Sequence, residues 1–237
     1  EGLGSLFEKD KNRRNSLIKD SFISLIMNIN LYGIKKLIFL NIDNQKFFNK
    51  NYSIVNKKKQ LLLNYGNGIR IFKHKLRNYK KNKSIKFIMI SRILEEKGIV
   101  EFIKASKKIS TKIKNVSFTH VGGNPLPPRV ISNKLKKLID KSHHIKFLGQ
   151  RNDVNNLLLD YDIMILPSYN EGFSTVIMEA LVSGLFVITT DVPGCRQSIE
   201  FNYEGTLVKH NEINSLQQAI KDCCQNMKKI RNDSLKI

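Results

Sequence analysis

Asp162-Ile163-Met164-Ile165-Leu166-Pro167-Ser168-Tyr169-Asn170-Glu171-Gly172-Phe173-Ser174-Thr175-Val176-Ile177-Met178-Glu179 carries the reading of the fold. Ile163–Leu166 is an unbroken apolar run that Pro167 ends, and a glycine-bearing loop then opens a helix over Ser174–Ser183. A strand with no polar alternation is expected to be buried on both faces, as in a parallel sheet. Gly184 stops the helix, and Leu185–Thr189 (LFVIT) is a second continuous apolar strand. Strand, helix, strand at this spacing is a parallel crossover unit.

The pattern extends both ways. Upstream lie expected strands at Ile85–Ser91, Val116–Val121 and Ile145–Leu148. Helical spacing covers Gly98–Ile109, Arg129–Lys141 (after Pro127-Pro128, with Val130, Leu135, Leu138 and Ile139 on one face) and Asp153–Leu159, where Asp153 can cap. Downstream come a short strand at Gly205–Val208 and a helix over Ile213–Met227. This is an α/β doubly wound parallel sheet, and such sheets bind ligands beyond the carboxyl ends of their strands. The expected site loops are therefore Ser91–Gly98, Val121–Pro125, Pro167–Thr175 and Thr190–Arg196.

The first third is less regular. It offers a helix over Arg14–Ile29, a strand at Lys36–Leu40, a short helix at Asn44–Asn49 and a strand at Leu61–Leu63. Tyr65–Ile69 is turn-rich, and Lys73–Ser84 is a basic linker. So few elements do not make a complete domain. The expected organisation is the remnant of a preceding α/β domain over 1–72, a linker over 73–84, the main domain over 85–230 and a tail over 231–237. The first residue is not Met, which agrees with a partial chain.

Composition narrows the functional classes. The 237 residues carry 41 Lys+Arg against 20 Asp+Glu, a net charge of +21. Residues 1–83 hold +14 of that excess and residues 84–237 hold +7. Such asymmetry suits an anionic partner, either nucleic acid or an acidic membrane surface, or a bland drift towards Lys, Asn and Ile. Helix-turn-helix, zinc-finger and RNA-recognition motifs are missing, and the basic residues are not interleaved with aromatics, so nucleic acid is not the expected partner. No apolar run reaches the ~18 residues of a membrane span. Three cysteines without a C-x-x-C pattern argue for a reducing, cytoplasmic setting and against a disulfide framework or structural zinc.

Two constellations carry chemistry. In the first, Glu171 and Glu179 flank a helix start at which Gly172, Phe173, Ser174 and Thr175 sit. Free amides and the helix dipole there favour a phosphate, and a neighbouring carboxylate can accept from sugar hydroxyls. In the second, Arg92 and Lys97 lie in the loop after the first strand of the main domain, where both can meet a diphosphate. Asp160-Tyr161-Asp162 imitates a metal-binding D-x-D but straddles a helix end and a strand start. His143-His144 lacks companions at ligand spacing, and Cys195 lacks a base.

Together these residues resemble the nucleotide-sugar half of a retaining GT-B glycosyltransferase of the family 4 type. The likeness rests on S-R-I-L-x-x-K-G at Ser91–Gly98, V-G-G at Val121–Gly123 and F-L-G-Q-R-N-D-V at Phe147–Val154. It continues through D-I-M-I-L-P-S-Y-N-E-G-F at Asp162–Phe173, the Glu171/Glu179 pair and T-T-D-V-P-G-C-R at Thr189–Arg196. The resemblance implies that Arg92 and Lys97 hold the donor diphosphate, that Glu179 accepts from the ribose and that Glu171 contacts the transferred sugar. It further implies that Gly122, Gly123 and the Gly172–Thr175 backbone cradle donor groups, and that Gly149 and Arg151 lie against the base. No bound metal or other cofactor is implied. The implied partners are a nucleotide-diphosphate sugar and a glycan or polyprenyl-linked acceptor at the inner membrane face, in cell-surface polysaccharide synthesis. Gln197 departs from the pattern where a carboxylate is common, and Phe173-Ser174-Thr175 replaces a frequent Leu-Pro-basic sequence. The glycine-rich loop and sugar-side His of the family's first half are missing, so a catalytically incomplete binding fragment is the alternative.

Overall fold

The computed structural model describes residues 24–63, 68, 84–127, 129–200 and 205–233. The Tyr65–Ile69 turn (apart from Gly68), the basic linker up to residue 83 and the first part of the expected Arg14–Ile29 helix lie outside these.

The first described unit holds helix α1 (residues 24–32), strand β1 (Lys36–Phe39), helices α2 (Ile42–Asn51) and α3 (Ser53–Asn56), and strand β2 (Lys59–Leu62). β1 and β2 pair in parallel, with Ile38 opposite Leu61. Asn41 starts α2 by accepting the Asn44 amide at 2.7 Å. A small core of Leu31, Phe39, Phe48, Tyr52 and Val55 holds the unit together.

The second unit is the expected doubly wound sheet. Its strands are β3 (Ile85–Ile90), β4 (Val116–Val121), β5 (Ile145–Phe147), β6 (Ile163–Leu166), β7 (Phe186–Thr190) and β8 (Gly205–Val208). All pair in parallel, in the order β5-β4-β3-β6-β7-β8. The chain winds outward from β3 to β5, crosses back to β6 and winds outward again to β8. The reversal point therefore lies between β3 and β6.

Among the described residues seven helices connect and cover the strands: α4 (Ile99–Ser110), α5 (Asn133–Asp140), α6 (Val154–Leu158), α7 (Thr175–Val182), α8 (Cys195–Glu200), α9 (Ile213–Gln225) and α10 (Met227–Asp233). Alternate strand residues enter two separate cores. Phe87, Met89, Ile163 and Ile165 pack with Phe102 and Ile103 of α4, Leu135 of α5 and Leu216 and Ile220 of α9. Ile88, Met164 and Leu166 pack with Leu158 of α6, Ile177 and Leu181 of α7 and Ile199 of α8. Burial on both faces is why these strands read as continuous apolar runs. Phe87 and Phe118 stack at 4.8 Å between ring centroids, and Phe102 meets Phe118 edge-on at 6.1 Å.

Several boundaries move. The helix expected over Arg129–Lys141 begins only at Asn133, because the Ser132 hydroxyl caps it by accepting the Leu135 amide at 3.2 Å. Val130, expected on its apolar face, is 82% exposed. Asp153 precedes α6 without capping it, since its carboxylate is held by Arg151. The final helix runs past 230: Arg231 donates to Asp162 Oδ1 at 3.1 Å and to the Ser84 carbonyl at 3.2 Å, which ties α10 to the start of the domain.

Candidate functional site

The site is built where the winding reverses, from the loops that leave β3 and β6. A parallel sheet splays its loops apart at this point and leaves a crevice. Ser91 to Gly98 leaves β3 and closes in a 3-10 turn over Glu95–Lys97, and Gly98 then starts α4. The Pro167 to Ser174 loop leaves β6 and starts α7. The two are stitched together: the Tyr169 amide donates to the Glu96 carbonyl at 2.9 Å, and the Ser168 hydroxyl to the same oxygen at 3.2 Å.

Three glycines set the spacing. Gly98 has φ 75°, and a Cβ there would lie 2.1 Å from the Pro167 carbonyl oxygen. Gly122, with φ 140°, would meet the Ser91 oxygen at 1.8 Å, and Gly194, with φ 80°, would meet the Glu171 oxygen at 2.4 Å. The β3, β4, β6 and β7 loops thus touch backbone to backbone, which only glycine permits. The Gly122 amide also donates to the Gly149 carbonyl at 2.8 Å, which adds the β5 loop.

The sequence-predicted charges converge. Lys97 Nζ lies 2.8 Å from Glu171 Oε1, and both side chains are largely buried. The pair joins residues 74 apart in sequence across the reversal point. Arg92, half-buried, follows β3 in the same loop, and among the described residues no acceptor holds its guanidinium. Ser174 is the N-cap of α7, but its buried hydroxyl makes no capping bond. Among the described residues the first-turn amides of α7 have no side-chain acceptor, and the helix itself offers them none. Glu179 lies about one turn beyond Thr175, and burial raises its carboxyl above the ordinary range. Its side chain has no bonded donor among the described residues. A half-buried carboxylate in that state suits hydroxyl donors.

Other expectations are met less closely. Gly123 follows Gly122 and accepts from the Ile93 amide at 3.0 Å. Arg151 is exposed, and Asp153 holds it by two hydrogen bonds of 2.6 and 2.8 Å, so its guanidinium is already engaged. Phe173 and Thr175 take their places on the loop and at the first residue of α7.

The imitators have structural partners. Asp162 is buried, accepts the Lys86 amide at 2.9 Å and pairs with Arg231. His144 lies 3.0 Å from the Ser106 hydroxyl and 3.2 Å from the Ile103 carbonyl. Cys195 is buried as the first residue of α8, and burial pushes its thiol up to about 12, so it is a thiol rather than a nucleophilic thiolate at neutral pH. Among the described residues no group of three or more His, Cys, Asp or Glu side chains is placed to hold a metal.

One contributor had no sequence signal. Asn41, fully buried in the first unit, donates its Nδ2 to the Gly172 carbonyl at 2.6 Å. Leu40 packs against Gly172, and Arg196 reaches Asp43 at 3.3 Å while also holding Asp191. The first unit therefore touches the loop that carries Glu171.

The profile described as "Glycosyl transferases group 1" matches residues 71–234. The chain belongs to the glycosyl transferases group 1 family. Among curated relatives, this group 1 chain is 28% identical over 230 residues to the N,N'-diacetylbacillosaminyl-diphospho-undecaprenol alpha-1,3-N-acetylgalactosaminyltransferase of Campylobacter jejuni. That alignment covers 93% of this chain and 58% of the relative. It is 31% identical over 154 residues to the UDP-Gal:alpha-D-GlcNAc-diphosphoundecaprenol alpha-1,3-galactosyltransferase of Escherichia coli, covering 62% of this chain and 38% of that one. Of solved structures, sucrose-phosphate synthase from Thermosynechococcus elongatus matches with TM-score 0.74 at 17% identity, over 98% of this chain and 59% of that one. HepE of Anabaena, solved with UDP and glucose, matches with TM-score 0.70 at 19% identity, over 93% and 62%. At such identities the structural likeness is one of fold, the GT-B type. The chain spans less than two thirds of the length of these relatives.

Proposed function

We propose that this chain carries the donor-binding part of an enzyme that moves a hexose-type sugar from a nucleotide diphosphate to a glycan acceptor. The observation that carries the reading is the Lys97–Glu171 pair at the sheet reversal, with Arg92 in the same β3 loop and unpaired among the described residues. In the transfer, the bond from the anomeric carbon to the diphosphate oxygen breaks and a bond to an acceptor hydroxyl oxygen forms. The hydroxyl proton leaves with the diphosphate. Charge developing on that leaving group meets Arg92, Lys97 and the first-turn amides of α7, which are fixed before reaction. Glu171, drawn by Lys97, is positioned for the sugar, and Glu179 for the ribose hydroxyls.

The names of the relatives support a lipid-linked acceptor, since both curated ones act on diphospho-undecaprenol-linked sugars. An acceptor of that kind places the reaction at a membrane surface, where the basic first third would favour anionic lipid by roughly 1 kcal/mol per near-surface cation. No helix among the described residues is long and apolar enough to cross a membrane. We read the outcome as retention at the anomeric carbon.

UDP and GDP titrations against the intact chain and an Arg92→Ala/Lys97→Ala variant test the site. One of the two nucleotides should bind, and the variant should lose at least tenfold in affinity. Equal affinity in both proteins would sink the assignment. Because the chain spans 58% of its Campylobacter relative, a second reading is a nucleotide-sugar module without turnover. Binding without transfer to a polyprenyl-linked acceptor would favour it.

A further inference from the structure

A cavity of about 460 Å³ opens between α4 and α5, on the helix side of the Glu95–Lys97 turn. Its volume is within the range that accepts small ligands. Lys104 of α4 and Lys134, Lys137 and Lys141 of α5 and its C-cap line it. The three α5 lysines recur at helical spacing, so they share one face of that helix, beside the cavity. Among the described residues none of the four has an ion-pair partner. Two carboxylates, Glu95 and Glu101, share the lining, which leaves a net charge of +2.

Glu101 is the second observation. It is 5% exposed, and its Oε1 accepts from the Tyr169 hydroxyl at 2.8 Å. Its Oε2 is buried with no partner. A buried carboxylate oxygen left without a donor is costly, and four lysines on the same cavity do not reach it. The lining thus offers cations for an anion and an acceptor for a hydroxyl.

We propose that the α4–α5 cavity is a second ligand site, separate from the donor crevice, for a hydroxylated phosphomonoester such as a sugar phosphate. A phosphomonoester carries close to two negative charges at neutral pH, which balances the lining. Its phosphate lies among Lys134, Lys137 and Lys141, and a sugar hydroxyl donates to Glu101 Oε2. The same chemistry occurs on a soluble sugar phosphate and on a phosphorylated lipid headgroup, and the charge balance favours the soluble form because no further anionic surface is needed.

Calorimetric titration of the full chain with glucose 6-phosphate, at saturating UDP, tests the site. Binding should persist with UDP present and weaken at least tenfold in a Lys134→Ala/Lys137→Ala/Lys141→Ala variant that keeps its UDP affinity. Glu101→Gln, close in shape, should weaken glucose 6-phosphate several-fold and leave inorganic phosphate unchanged. Failure of glucose 6-phosphate to bind, competition by UDP, or indifference to the lysine changes each overturns the proposal. So does lysine-dependent capture by phosphatidylglycerol vesicles without soluble binding, which would assign the patch to a membrane. A chain that binds no UDP but passes the Arg92→Ala/Lys97→Ala control unchanged for glucose 6-phosphate would fail the donor reading alone.

Discussion

His120 shows how one buried side chain makes stability depend on pH. It lies on β4 behind the β3 loop, with Nε2 3.4 Å from the Ser91 hydroxyl and Nδ1 unpartnered. Burial pushes its imidazole down to about 4. The native protein therefore keeps it neutral while the unfolded chain takes up a proton below about 6.5. Stability is fully present above pH 6.5 and declines as pH falls towards 4, with a slope approaching ~1.4 kcal/mol per pH unit. Urea midpoints from pH 7 to 5 should show this, and His120→Asn should flatten most of it. His144, also lowered by burial, leaves a smaller slope of the same sign. The residue scale is also where sequence reading reached furthest: the loops of Lys97 and Glu171 are legible as neighbours on one sheet edge because each follows a recognisable strand, but the ion pair between the two side chains is visible only in the fold. Arg151 is placed by the family resemblance alone, and Asp153, two residues away, competes for its guanidinium.

Among the elements, the loops at the reversal point are held by backbone contact. Gly98→Ala and Gly122→Ala should each cost about 2–4 kcal/mol, because the methyl meets a carbonyl oxygen as well as an unfavourable φ. Gly149 has φ 64° but nothing within 4 Å of a Cβ, so Gly149→Ala should cost only about 1–2 kcal/mol. Chemical denaturation separates the cases, and equal losses at all three sites would contradict the contact argument. Sequence periodicity found every strand of the main sheet to within one or two residues, since the burial that produces the signal is on both faces. It missed α8 and overextended α5, whose true start depends on the single hydroxyl of Ser132. It could not find Asn41, whose partner is 131 residues away.

The molecule as a whole has unequal parts. The sheet domain has two large apolar cores, while among the described residues the first unit rests on five buried ones and leaves Leu25, Ile29, Tyr32 and Ile38 exposed. Hydrogen exchange should therefore show the first unit opening at lower denaturant than the sheet domain. Phe118→Ala should cost about 3–5 kcal/mol in the sheet domain, and Phe48→Ala should release protection in the first unit while sparing β3, β4 and β6. Loss of protection everywhere from Phe48→Ala would show a single cooperative unit instead. The +21 charge divides along the same line, with +14 before residue 84.

Asn41 spends one amide twice. Its oxygen begins helix α2, and its nitrogen holds the carbonyl of the residue after Glu171. A swing that parts the two units must either break that bond or drag the Glu171 loop along. Parting the two units and deforming the Glu171 loop are thus one mechanical event.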